Sequence, residues 1–412
     1  MRKINTRSFR VATRGTYREI NRTIVLNLVR EHQPISRAEL ARRMKVGRAS
    51  LTLIVRELLG SGEVIETGTA VAARGRRPTL LRIRTVGRLA TAVDVRPTQT
   101  SLVLADFGGT VLSRDVFPTP ARPEDLAREL GIRVAKLLTA ETATGATCHG
   151  IGVVVPGMVD RRSGRVLYAP RLGWRDVDLR DALAKHVGIP VFVESAPIAC
   201  ALARLWSLAG GDSRAVNNFA YVSVSDGVGV GIVVSGEVLR GEAHTAGEFG
   251  HVSLDPHGPL CACGQRGCWE AFACNSATSM RYVSEVSGGG AHEARGGGAR
   301  RGPLPPVEEI VRRAKRGERA AQVTLAATGR EIGRGLAAVV SAINPKRIYL
   351  GGEVTAAWDL IEKPLREALV EGTLTTAARE TPVLPDRAPG EYRLLGAIAL
   401  VAAPNYAAPR VG

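Results

Sequence analysis

The sequence predicts an α/β protein headed by a small basic unit of the winged helix-turn-helix type. Three observations predict it: helical patterning in a strongly basic first fifth, a change near residue 88 to short apolar strands alternating with helices, and a Cys/His cluster in the second half. At 412 residues the chain is too long for one hydrophobic core, so about two to four units are expected.

The net charge of +17 is informative once located. Residues 1–90 carry 20 Lys/Arg against 6 Asp/Glu, whereas residues 91–412 carry 36 against 33. A basic arm can be merely solvated. Here it coincides with ordered helical patterning, which favours a polyanionic partner, double-stranded DNA. The first residues form no apolar run of signal-peptide length, and no later stretch reaches the roughly 18 apolar residues that span a bilayer. A cytoplasmic protein without membrane contact is expected, nucleoid-associated when bound to DNA. Six cysteines in a reducing compartment argue for metal rather than disulfides.

Residues 17–31 read as a first helix with Ile20, Ile24, Val25 and Leu28 on one face. Ser36 to Glu39 fits a capping box, in which the Ser36 hydroxyl and the Glu39 carboxylate each satisfy a free N–H of a second helix through Leu40 and Met44. Lys45-Val46-Gly47 offers a tight turn. A third helix from about Arg48 to Leu59 turns Leu51, Ile54, Val55 and Leu58 inward. In a helix-turn-helix this helix enters the major groove; Arg48, Ala49, Ser50 and Thr52 then meet base edges and Arg56 a phosphate. The competing reading is a three-helix bundle with a solvated polar face.

Residues 63–68 and 80–83 read as two strands joined by a wing loop holding Arg74, Arg76 and Arg77 around Gly75. Arginines on an extended backbone suit a narrow minor groove; a plain linker is the alternative. Beyond residue 88, the runs Gly150–Val155, Pro190–Val193 and Ala220–Val224 read as strands, and residues 287–303 as a Gly-rich insertion before helical pattern resumes over 306–335.

His251 with Cys261, Cys263 and Cys268 supplies one imidazole and three thiolates on Gly-containing loops, a set that suits a closed structural Zn2+ site. Glu248 and Glu270 flank these ligands. Carboxylates fixed beside a metal can hold paired sugar hydroxyls, although each alone could be an ordinary surface charge.

These motifs resemble the ROK family of sugar-responsive bacterial repressors and sugar kinases. The likeness rests on Gly75-Arg76-Arg77-Pro78, Gly150-Ile151-Gly152 with Pro156-Gly157, Leu172-Gly173-Trp174, the Gly247-to-His251 motif, the Cys261-to-Cys268 loop, and Asn344-Pro345 leading to Leu350-Gly351-Gly352. It implies a two-lobed actin-like (ribonuclease H-like) sugar-kinase body, with units at 1–87, 88–205 and 206–412 and a last helix at about 394–404 returning to the first lobe. It further implies a sugar in the cleft contacted by Glu248, His251 and Glu270, with His251 also a zinc ligand.

Two departures separate this chain from the family's kinases. Their Asp-x-Gly-Gly-Thr hairpin, which lets backbone N–H groups reach nucleotide phosphates, is here Asp94-Val95-Arg96-Pro97-Thr98. A bulky side chain and a residue lacking an N–H spoil that cradle, while Arg96 could still offer charge to an anion. Their Asn-Asp-Ala-Asn run, whose Asp is the general base, is here Ser195-Ala196-Pro197-Ile198. Without a positioned base about 10² to 10⁴ of rate disappears. The expectation is a catalytically inactive, sugar-sensing repressor of carbohydrate-related genes that acts as a homodimer or tetramer. One alternative is an active ATP-dependent hexose kinase with an accessory DNA-binding domain; another is a constitutive DNA-binding protein whose C-terminal part only dimerises. The run Gly227-Val228-Gly229-Val230-Gly231 fits either a phosphate turn or close packing at a strand bend.

Overall fold

The computed structural model describes residues 14–69, 77–142, 145–207, 216–288, 304–386 and 391–406. Arg74, Arg76 and most of the Gly-rich insertion lie outside the described residues.

The head is built from α1 (Arg14–His32), α2 (Arg37–Met44) and α3 (Arg48–Gly60), with a small antiparallel sheet in which β1 (Ile35–Ser36) and β2 (Val64–Thr69) flank β3 (Thr79–Ile83). All four inward residues expected on α3 are buried. On α1 the buried stripe is Val25, Leu26 and Val29, while Ile24 is exposed, so the inward face is rotated from the expected one. The capping box forms by half. Ser36 Oγ accepts from Glu39 N at 3.2 Å, but the Glu39 carboxylate turns to Arg42 and Arg43. The left-handed residue of the turn is Lys45 (φ 54°), and Gly47 serves as the N-cap of α3.

In the first lobe β4 (Arg88–Val95), β5 (Gln99–Asp106) and β6 (Val111–Pro118) form an antiparallel meander. After α4 (Pro123–Thr142), β7 (Thr147–Val155) adds parallel to β4. A small sheet of β8 (Met158–Asp160), β9 (Arg165–Ala169) and β10 (Trp174–Val177), then α5 (Leu179–Ala184), precede β11 (Val191–Ser195). The resulting order is β11-β7-β4-β5-β6.

The chain leaves this lobe through α6 (Ala196–Ser207). The second lobe repeats the wiring. β12 (Phe219–Val224), β13 (Val228–Val234) and β14 (Glu237–Val238) are antiparallel. Four helices follow: α7 (Trp269–Ala273), α8 (Asn275–Val286), α9 (Val307–Lys315) and α10 (Arg319–Ile343). β15 (Arg347–Gly351) then joins parallel to β12, and α11 (Trp358–Glu371) and α12 (Thr376–Arg379) lead to β16 (Val383–Pro385). The order β14-β13-β12-β15-β16 matches that of the first sheet strand for strand, the twofold pattern of an actin-like body. The helical stretch expected over 306–335 is two helices, broken at Gly317 (φ +90°). α13 (Glu391–Ala402) returns to pack on β4 and β7. Among the described residues, no helix is long and apolar enough to cross a membrane.

Candidate functional site

On the head, Arg48, Ala49, Ser50, Thr52 and Arg56 are all exposed on the outer face of α3. Arg37, Arg42 and Arg43 are tied to Glu66 or Glu39. Arg48 and Arg56 have no ion pair among the described residues, which leaves their charge available. The Thr52 hydroxyl donates to Arg48 O at 2.7 Å and so is turned back on its own helix. Leu53, which the periodicity passed over, is 58% exposed beside these residues; an apolar side chain there is suited to a thymine methyl. Arg77 is exposed two residues before β3.

The ligand atoms of His251, Cys261, Cys263 and Cys268 lie within 4.8 Å of one another, a group that could hold a metal ion. Tetrahedral coordination with Zn–S bonds of about 2.3 Å spaces sulfurs about 3.8 Å apart. Cys263 Sγ and Cys268 Sγ are 3.7 Å apart, as are Cys261 Sγ and His251 Nδ1. The donor set therefore fits. Burial pushes the Cys261 and Cys268 thiols up, so a cation is needed to hold them as thiolates.

Local backbone builds this loop. Leu254 N donates to Gly267 O and Cys261 N to Gln265 O, both at 2.8 Å. Gly267 (φ +69°) is obligatory: a Cβ there would meet Asp255 O at 1.5 Å. Trp269, next to the last thiol, is buried against Gly335 of α10 and donates from Nε1 to Glu331 O at 3.0 Å.

A cleft open to solvent lies beside this loop. Lobe one contributes Gly157, Arg171, Ala196 and Pro197; lobe two contributes Ser223, Asp226, Glu248, His251 and Glu270. The Gly247-to-His251 motif is packed hard onto β13, since a Cβ on Gly250 would meet Val228 O at 2.0 Å. Glu270 is buried and accepts from Val228 N at 3.0 Å through Oε2. Burial, with the Glu270 charge added, pushes Glu248 up to about 7. Burial, then the charge of Glu353, likewise raises Asp226.

Arg96 does not face the cleft as a loose cation. Its Nε donates to Asp94 at 3.1 Å in its own lobe and its Nη1 to Glu353 at 2.8 Å in the other. Arg393 also bonds Asp94, at 2.6 Å, and Asn275 bonds Glu353, at 3.0 Å. Burial opposes the Arg96 charge, but the two carboxylates outweigh it and raise its pKa above the usual arginine value. Further pairs cross the cleft: Arg240 to Glu194 at 2.5 Å, His244 to Asp160 at 3.5 Å, and Arg171 to Ser276 at 3.3 Å. None of these partnerships was legible from local sequence. The glycines of the 227–231 run have a packing role, for a Cβ on Gly231 would meet Pro197 O at 2.3 Å.

A winged helix-turn-helix head on a two-lobed, actin-like body with a Cys/His cluster beside its cleft defines the class of protein. The chain belongs to the ROK family, whose model matches residues 90–403. A xylose repressor of Caldicellulosiruptor bescii is 27% identical over 93% of this chain and 96% of its own. The crystal structure of a ROK family transcriptional regulator, described as a homolog of the Escherichia coli Mlc protein, aligns with a TM-score of 0.78 at 26% identity, covering 95% of this chain and 97% of that one. A ROK family glucokinase from Streptomyces griseus, in complex with glucose and AMPPNP, aligns with a TM-score of 0.64 at 26% identity. It covers 76% of this chain and 99% of its own.

Proposed function

We propose that the protein is a DNA-binding transcription repressor of carbohydrate-related genes whose kinase-like body senses a sugar or sugar derivative without phosphorylating it. The observation that carries this reading is Ala196 in the wall of the cleft. A methyl group stands where phosphoryl transfer needs a base to take the acceptor's proton. Arg96 supports it, because the β4–β5 turn that would approach phosphates carries a side chain already engaged by Asp94 and Glu353.

In this reading residues 1–87 bind the operator, with Arg48, Ala49, Ser50 and Thr52 at base edges, Arg56 on phosphate, and Arg74, Arg76 and Arg77 in the minor groove. Leu53 joins the base-reading set. Residues 88–205 and 206–412 form the two lobes. Glu248, His251 and Glu270 bind the sugar; Glu248, with its raised pKa, can donate as well as accept a hydrogen bond near neutral pH. His251, Cys261, Cys263 and Cys268 hold a structural Zn2+, which offsets most of the thiolate charge and fixes the loop that carries Glu248 and Glu270. The protein works in the cytoplasm as a homodimer or tetramer, matching two operator half-sites.

The test is paired. Purified protein should enrich specific duplexes from fragmented genomic DNA of its own organism, and should show no sugar-dependent ATP turnover across a hexose panel. Turnover comparable to an ordinary hexokinase would install the kinase reading instead.

A further inference from the structure

α6 and α13 lie side by side and both begin at the cleft, where Ala196 and Pro197 of one and Arg393 of the other line its wall. Both also end under the head. Trp206, in the last turn of α6, meets Tyr406, in the single 3-10 turn after α13, edge to face at 5.1 Å. The guanidinium of Arg30 on α1 lies over both rings, 4.8 and 5.4 Å from their centres. Asn27 of α1 donates to Tyr406 O at 2.8 Å. Both rings pack into the same core as Val25, Leu26 and Val29. Arg30 Nε is buried without a hydrogen-bond partner among the described residues, so the aromatic rings are what this cation rests on.

The same two helices are clamped between the lobes. α6 packs on β12 and β13 of the second sheet, and α13 on β4 and β7 of the first. At several points backbone meets backbone. A Cβ on Gly231 of β13 would meet Pro197 O at 2.3 Å, one on Gly152 of β7 would meet Ala397 O at 2.0 Å, and, between the two helices, one on Gly396 would meet Ala199 O at 2.1 Å. At these glycine contacts no side chain separates the backbones, so no rotamer change there absorbs a displacement, and a shift of one lobe carries the helices with it. A 12-residue helix spans about 18 Å, enough to carry that shift from the cleft to the head.

We propose that α6 and α13 form a paired strut that transmits opening and closing of the cleft to the DNA-binding head, with the Arg30–Trp206–Tyr406 stack as its point of contact. α1 passes the motion on to α3, against which it packs and to which Arg18 is paired through Glu57. This rests on the reading of the chain as a cleft-regulated DNA-binding protein.

The test perturbs the cleft from within and needs no effector. Arg96→Ala cuts the tie between Asp94 and Glu353, and Kd is measured by fluorescence anisotropy for a duplex that the unmutated protein selects from a random-sequence pool. Arg96→Ala should change that Kd by about fivefold or more, the size of an ordinary allosteric coupling. In a Trp206→Ala background the same change should shrink to less than about twofold, with Trp206→Ala alone still binding the duplex. Arg30→Gln, which removes the cation and leaves the rings packed, should shrink it likewise and guards against a folding defect in the tryptophan variant. An Arg96→Ala change that leaves Kd unaltered in the otherwise unmutated chain, or whose effect persists undiminished in both the Trp206→Ala and Arg30→Gln backgrounds, overturns the strut and leaves the regulator reading intact. Failure of the unmutated protein to select any duplex overturns the regulator reading itself.

Discussion

Replacing Cys268 with alanine removes one of four ligand atoms that sit within 4.8 Å of one another. The remaining His251, Cys261 and Cys263 leave a three-ligand site, which is the pattern of an open rather than a closed zinc centre. The thiol is fully buried and its pKa is raised, so in the intact loop it would ionise only with a cation to offset burial. Free zinc at a hundred times its Kd adds about 2.7 kcal/mol to a protein that binds it only when folded. At about 2–4 °C per kcal/mol for a body of 150–250 residues, that is a rise on the order of 5–10 °C in Tm. The unmutated protein should hold one metal ion per chain by elemental analysis, lose it to a chelator with a fall in Tm of this size, and regain both with zinc. Cys268→Ala, left with three ligands, should give the ion up at lower chelator concentration and show a smaller zinc-dependent rise in Tm. A metal-free unmutated protein whose Tm ignores both chelator and zinc would refute the reasoning, because the cluster would then be two buried thiols, one half-buried thiol and an imidazole with no ion to organise.

Arg48→Ala should cost roughly 1 to 3 kcal/mol on the selected duplex and little on random DNA, whereas Arg56→Ala should weaken both alike; competition anisotropy separates the two, and equal losses for both variants would remove the assignment of Arg48 to a base edge. Arg96→Ala should destabilise by about 3 kcal/mol at neutral pH, because Glu353 is left buried with its cation gone. The intact pair holds Glu353 below its ordinary pKa despite burial, so its contribution is present above the usual carboxylate range and lost as pH falls through the depressed value. The deficit of the variant should accordingly narrow as the pH falls below the usual carboxylate range, read as Tm against pH; a deficit independent of pH would deny the pairing. Gly335→Ala would place a Cβ 1.9 Å from the Trp269 ring and should cost about 1–3 kcal/mol or more, with Trp269 fluorescence displaced; an unchanged Tm would show that the indole is free to move.

How much of this was legible from sequence depended on how far apart in the chain the deciding contacts lie. The four inward residues of α3 follow one stripe at three- and four-residue spacing, and all are buried. α1 carries two overlapping stripes, and the choice between them is made by Tyr406 and Trp206, which come from distant segments to join its core. The Cys/His cluster was readable because its ligands span fewer than twenty residues and their chemistry is restrictive. The duplication of the two sheets was not, since hydrophobic runs mark strands without encoding which strand pairs with which.

Arg96 shows the same limit at the candidate site. Read along the chain, it is only a departure from the glycine turn that the resemblance leads one to expect. In the fold it brings Asp94 of one lobe and Glu353 of the other onto a single guanidinium. Those partners stand two and 257 residues away, so only the first could have been suspected. The substitution therefore has two consequences that are physically one: the charge that occupies the turn where phosphates would approach is the charge that ties the lobes together. Arg96→Gly would thus open the turn and release the lobes at once, and leave Glu353 buried with Asn275 as its remaining side-chain partner among the described residues.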